Sequence, residues 1–171
     1  MRRYVHDQLA AAVEAVGATA VSVPVAFAVR GVPQAAEVWW AVAFFTALAA
    51  VFGVLACTPV RWSGGKKRDF ERAVPLADSE RGLPAPGDSL RRSFDWGFPA
   101  FLAVSGLVGA LLWGPMAGLW PLLFVPERLV KAAYGTYWER RHGVVLWMGL
   151  VSDQPLGKNE FLYSSVRQPG L

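Results

Sequence analysis

The chain has 171 residues, of which 54% are hydrophobic and 18% charged, and its mean hydropathy is +0.32. Soluble domains carry about 25% charged residues, so this balance argues against an ordinary soluble domain and for helices immersed in lipid. The single cysteine, Cys57, excludes an internal disulfide and a thiolate cluster, and the two histidines, His6 and His142, lie too far apart in sequence to suggest an imidazole metal site.

The first apolar segment covers residues 9–29, interrupted by Glu14 and carrying Pro24. Arg2 and Arg3 precede it, and Ala26, Phe27 and Ala28 form a small-x-small sequence, features shared with a cleavable signal peptide. Asp7 and Glu14 are out of place in such a leader, so a retained first helix is expected. Gly31 and Pro33 then punctuate a short link.

Residues 38–60 contain no charge, and a helix of that length rises roughly 30 Å or a little more, the thickness of a hydrocarbon core. Trp39 and Trp40 stand at one end, Arg61 and Trp62 at the other. Ala43 with Ala47, and Ala49 with Gly53, set small residues four apart on one helix face, which lets another helix approach closely.

Residues 61–95 turn hydrophilic, and residues 61–92 hold eight of the 17 Lys and Arg. By the positive-inside tendency this loop is cytoplasmic, with one short helix expected around residues 69–73. A stretch of 31 uncharged residues follows, 96–126, broken by Gly114 with Pro115 and again by Pro121. It is too long for one straight span and too short for two full ones. Two spans are expected, at 97–113 and 116–133, the second continuing through Glu127, Arg128 and Lys131 with their charged heads at the interface. In the tail, residues 144–151 form an apolar run of strand length. Turn residues follow at 153–159, and residues 161–166 are a second strand candidate, so a short β-hairpin or an interfacial segment is expected.

The expected fold is therefore an all-α integral membrane protein with four transmembrane helices in two hairpins (about 9–29, 38–60, 97–113 and 116–133) and both termini cytoplasmic. Residues 1–133 make the membrane domain, interrupted by the basic loop 61–95, and residues 134–171 the cytoplasmic tail. Tryptophan placement agrees, since indoles prefer the headgroup level: Trp39, Trp40 and Trp113 fall at outer helix ends, Trp62 and Trp96 at inner ones. Each hairpin is trailed by an aromatic-Glu-Arg triplet, at residues 70–72 and 138–140, a faint internal echo that chance explains well.

Glu14 is the candidate intramembrane ionisable site. Its functional reading is a proton-binding carboxylate with Asp7 on the same helix face; its ordinary reading is a hydrated group near the interface, paired with Arg2 or Arg3. Arg61, Lys66, Lys67, Arg68, Arg91 and Arg92 are candidate contacts for anionic headgroups or a partner. The run SGGKKR at residues 63–68 lacks the spacing and the strand of a P-loop. Ser105 with Gly109, Gly106 with Ala110, and Gly114 with Gly118 are further small pairs for helix packing or self-association.

No motif argues for catalysis, and no cofactor, metal or nucleic acid is expected. The expected function is a non-enzymatic scaffold or accessory subunit of the cell membrane. It would present its basic loop and tail to a membrane protein partner, a second copy or anionic lipid. The alternative is an oligomeric pore or transport component using Glu14.

Overall fold

In the computed structural model, which describes residues 1–56, 66–77, 83, 86–151, 153–158 and 160–166, helices dominate. The elements run β1 (Arg2–Arg3), α1 (Tyr4–Arg30), α2 (Ala35–Ala56), α3 (Lys67–Glu71), β2 (Val74–Pro75), α4 (Pro86–Ser93) and α5 (Gly97–Trp113). A 3-10 segment (Pro115–Leu123), α6 (Phe124–His142), β3 (Val144–Met148) and β4 (Tyr163–Val166) complete the chain.

Two helices, Tyr4–Arg30 and Val38–Leu55, are long and apolar enough to cross a membrane. The first has 27 residues, about 40 Å of rise. It starts earlier than its expected residue 9 because Tyr4 and Val5 have a core of their own to enter. It ends at Gly31, whose positive φ of 84° suits glycine and whose N–H donates to the Phe27 carbonyl. The second expected span also begins early, at Ala35; its last four positions, 57–60, lie outside the described residues.

α5 matches its expected bounds, but the stretch after it is not one helix. Pro115 and Pro121 cannot donate backbone hydrogen bonds, and a proline ring inside an α-helix clashes with the preceding turn. The chain takes a 3-10 path until Leu123 and becomes α-helical at Phe124, so that Pro126 falls in the first turn, where N–H groups lack intrahelical partners anyway. α6 then continues past residue 133 to His142 and stops at Gly143 in the left-handed conformation.

α1 is the central element, packed against α5, α6 and the 3-10 segment, while α2 lies outside, against α6 and the 3-10 segment. Over parts of α1 and α5 side-chain size is ordered radially. On α1, Ala18 is 3% exposed and Ser22 and Ala26 are buried, whereas Val21 is 58% exposed and Val25 and Val29 also face outward. On α5, Gly106, Gly109 and Ala110 are buried and Phe101, Val104 and Leu112 are exposed. On these faces the branched side chains point away from the bundle and the small ones point in, except around Leu102, which is fully buried against Ala15 and Ala18 with Phe98, Trp120 and Phe124 packed beside it.

At one end the helices carry a cap built on a four-stranded sheet of order β1-β3-β4-β2. β3 pairs antiparallel with both β1 (Arg3 opposite Trp147) and β4 (Trp147 opposite Tyr163), and β2 pairs parallel with β4. The expected hairpin is thus present, enlarged by strands from the first residues and from the central loop. One face of the sheet is covered by Tyr4, Val5, Phe70, Leu146 and Leu162, the other by Val145, Trp147 and Tyr163. Alternation along β3 divides its side chains between these two cores. Pro75 sits in the edge strand, where its missing donor is tolerated.

The cap is locked by Glu139, whose residue is 1% exposed. One carboxylate oxygen accepts from the Leu146 N–H at 3.0 Å and from Arg3 Nε at 3.3 Å; the other pairs with Arg3 Nη2. Removing one partner of a buried pair leaves the other charge uncompensated. Glu139→Leu is expected to cost about 3 kcal/mol, the low end of the range because the Arg3 guanidinium reaches solvent. Part of that loss should return in the Arg3→Met, Glu139→Leu double variant. Chemical unfolding of the three proteins checks this, and accelerated hydrogen exchange at the Leu146 amide is its local signature.

Candidate functional site

The polar groups concentrate where the cap meets the helices. Arg2 Nε lies 2.9 Å from the Asp7 carboxylate, and the Gln8 amide donates to Asp7 at 3.0 Å. Arg128 donates to the Gln8 oxygen at 3.1 Å and stacks over the Phe98 ring, and the buried Lys131 pairs with Glu127 one turn earlier. The result is a girdle of paired charges around α1 and α6, one turn or two from the apolar part of the bundle.

The candidate cations are not alike. Lys66 is engaged by Asp69 at 3.1 Å and Lys67 by Glu71 at 4.0 Å. Arg68, Arg91 and Arg92 are exposed and have no ion pair among the described residues. Arg92 borders a recess of about 370 Å³ with Arg2, Met148 and Leu150. Arg61 lies outside the described residues.

Glu14 does not pair with Arg2 or Arg3, because Asp7 and Glu139 hold those guanidinium groups. Its Oε1 accepts instead the Asp95 N–H at 2.7 Å, just before α5 begins. The Asp95 carboxylate in turn accepts the Gly97 N–H at 3.0 Å. Two carboxylates therefore meet here with no cation between them among the described residues. Asp7 is not beside Glu14 in any hydrogen-bonded sense; it belongs to the girdle two turns away.

The small residues read from the sequence fall into three groups. Gly106, Gly109 and Ala110 are buried in α5; Gly106 faces the Ser22 hydroxyl, which donates to the Gly118 carbonyl at 3.2 Å. Gly118 faces Ala26 and Ala110, and Gly53 faces Val130, so these glycines are used for contact between helices of this chain. Gly114 forms the turn after α5 at a φ of 113°, Ser105 bonds back to the Phe101 carbonyl at 2.6 Å, Ala43 and Ala47 are exposed, and Ala49 lies on α2.

Sequence reasoning missed the Arg3–Glu139 pair, Gln8 as a bridge between Asp7 and Arg128, and Ser22 as the polar link inside the bundle. Gln8 and Ser22 had a weak signal, being polar positions on the small-residue face of α1. A second recess, about 250 Å³, lies beside Tyr4, Lys66, Asp69 and Leu162. The Tyr4 hydroxyl is buried without a hydrogen-bond partner among the described residues. Among the described residues no three of His, Cys, Asp or Glu assemble as a metal-ligand set.

A Cβ at Gly106 would lie 3.2 Å from Ser22 Oγ and 3.5 Å from the Gly118 carbonyl, so Gly106→Val is expected to destabilise by about 1–3 kcal/mol through overpacking. Gly109→Ala meets only ordinary contacts and should be tolerated. Tyr4→Phe removes an unsatisfied buried hydroxyl and should leave stability unchanged or raise it by about 1 kcal/mol. Thermal unfolding of the three variants tests all of these. Compared with protein-family models, with curated proteins and with solved structures, the chain finds no match.

Proposed function

We propose that this chain is a multi-pass protein of the cell membrane that acts as a non-enzymatic scaffold or accessory subunit, offering its cap to a protein partner or to anionic headgroups. The observation that carries the membrane reading is the radial order of side-chain size. In water, exposing valine, phenylalanine and tryptophan while burying alanine and glycine forfeits hydrophobic stabilisation. In lipid there is no such penalty, and small residues at helix contacts gain close packing while large ones face acyl chains. Val21, Val25 and Val29 on α1 and Phe101, Val104 and Leu112 on α5 follow the lipid rule, facing outward while Ala18, Ser22, Gly106 and Gly109 face in.

Four spans in two hairpins fit this arrangement. α5 has 17 residues, about 25 Å of rise, with Trp96 and Trp113 exposed at its two ends, where indole rings seek the headgroup region. The 3-10 segment and the first half of α6 return the chain to the cap. Arg68, Arg91, Arg92, Arg140 and Arg141 all belong to the cap end, and by the positive-inside tendency that end is cytoplasmic. The scaffold role is supported by where chemistry sits. Paired charges build the cap, while the described interior of the helical part is lined by alanine, glycine, serine and threonine together with the apolar cluster around Leu102.

Reporter fusions test the topology: one after Gly114 is expected outside and one at the C-terminus inside, with the protein resisting carbonate extraction. An external C-terminal reporter removes the second hairpin. Proton or ion flux through reconstituted liposomes, abolished by Glu14→Gln, would replace the scaffold with the pore reading. For the cap, Arg68→Ala, Arg91→Ala and Arg92→Ala together are expected to weaken association of the reconstituted protein with anionic vesicles by up to about 3 kcal/mol, near 1 kcal/mol per charge.

A further inference from the structure

Between α1 and α5, on the outer surface of the bundle, runs an open groove of about 480 Å³. Its floor is Gly17, Ala18, Ala100 and Ala103, and Glu14 stands at its cap end. Phe94 and Trp96 flank that end, Trp96 being 88% exposed. Gly17 has no atom within 4 Å of the position a Cβ would occupy, so a side chain there would enter the open space of the groove.

Glu14 gives this groove a polarity. The residue is only 7% exposed, its Oε1 is tied to the Asp95 N–H, and it has no ion pair among the described residues. The Asp95 carboxylate beside it adds negative charge. A carboxylate held at the edge of an apolar groove is costly unless a cation meets it. The occupant must therefore combine a positive head with an apolar tail. Phe94 and Trp96, which line the same groove, add attraction for a cationic head.

We propose that the groove binds one glycerophospholipid with a primary-ammonium headgroup, of the phosphatidylethanolamine kind. Its ammonium donates to Glu14 between Phe94 and Trp96, and an acyl chain lies along Gly17, Ala18, Ala100 and Ala103. An ammonium supplies N–H donors that a quaternary choline lacks, which sets the selectivity. The inference rests on the membrane reading above and commits in addition to one lipid class at one site.

The test is native mass spectrometry of the detergent-purified protein with equal amounts of phosphatidylethanolamine, phosphatidylcholine and phosphatidylglycerol of identical acyl chains. Wild type is expected to retain one phosphatidylethanolamine preferentially. Glu14→Gln should lower that occupancy at least about tenfold, the loss of a charge-assisted hydrogen bond. Gly17→Leu fills open space, improves helix propensity and should abolish the adduct while the protein stays folded. Equal retention of all three lipids, or an unchanged adduct in both variants, overturns the proposal. So does a dimer that Gly17→Leu dissociates, because a second copy would then be the occupant. A wild type that stays monodisperse without detergent overturns the membrane reading itself, which is a separate outcome.

Discussion

A carboxylate at the C-terminal turn of a helix faces carbonyl groups that lack partners and already make the local potential negative. Glu139 occupies that position in α6 and is buried there as well. It persists because Arg3 and the Leu146 N–H compensate it from two other parts of the chain. One side chain thus fixes β1, α6 and β3 relative to one another. The Arg3 N–H also donates to Ser89 Oγ at 2.7 Å, which brings in α4. Since α1 begins at the next residue, Tyr4, the clamp sets the axis of the central helix at its cap end. The Tyr4 ring then lies against Gly135, where a Cβ would come within 3.0 Å of it.

From that fixed point the helices converge through small residues. Ser22 on α1, Gly106 on α5 and Gly118 on the 3-10 segment form one contact, in which a hydroxyl reaches a backbone carbonyl because no side chain intervenes. At the far end the Arg30 guanidinium donates to the Leu111 carbonyl, joining the ends of α1 and α5. α2 has no such position facing α1 and stays peripheral, touching α6 where Gly53 meets Val130. The bundle is held by close backbones at these small residues and, nearer the cap, by the cluster of Leu102, Phe98, Trp120 and Phe124.

Long uncharged runs are conspicuous in a sequence, and so the existence of α1, α2 and α5 was readable from it. Which face of each turns inward was not, because in a uniformly apolar helix the alternation of polar and apolar residues that normally marks the buried side is absent. Only size distinguishes the faces. The cap was harder still. Nothing in Arg2–Arg3 or Val74–Pro75 reads as a strand; each pairs only because β3 and β4, distant in sequence, supply an edge. The triplets at 70–72 and 138–140 look alike, and their aromatic members do meet, Phe70 and Trp138 with ring centroids 5.8 Å apart. Their glutamates part company: Glu71 is exposed beside Lys67, and Glu139 is the buried clamp. Glu14 was recognisable as unusual, but its lack of a cation follows from competition for Arg2 and Arg3 that local sequence does not display.

The sheet draws its strands from residues 2–3, 74–75, 144–148 and 163–166, so β1 and β2 cannot pair until β3 and β4 have been made. β1 must wait for β3, and β2 for β4, while every helix between them is being placed. In a bilayer, a helix threaded the wrong way would deliver its strand to the opposite compartment, where no partner waits. On the membrane reading proposed above, completion of the sheet would report on insertion, because only a chain whose helices have all been correctly oriented gathers its scattered strands on one side.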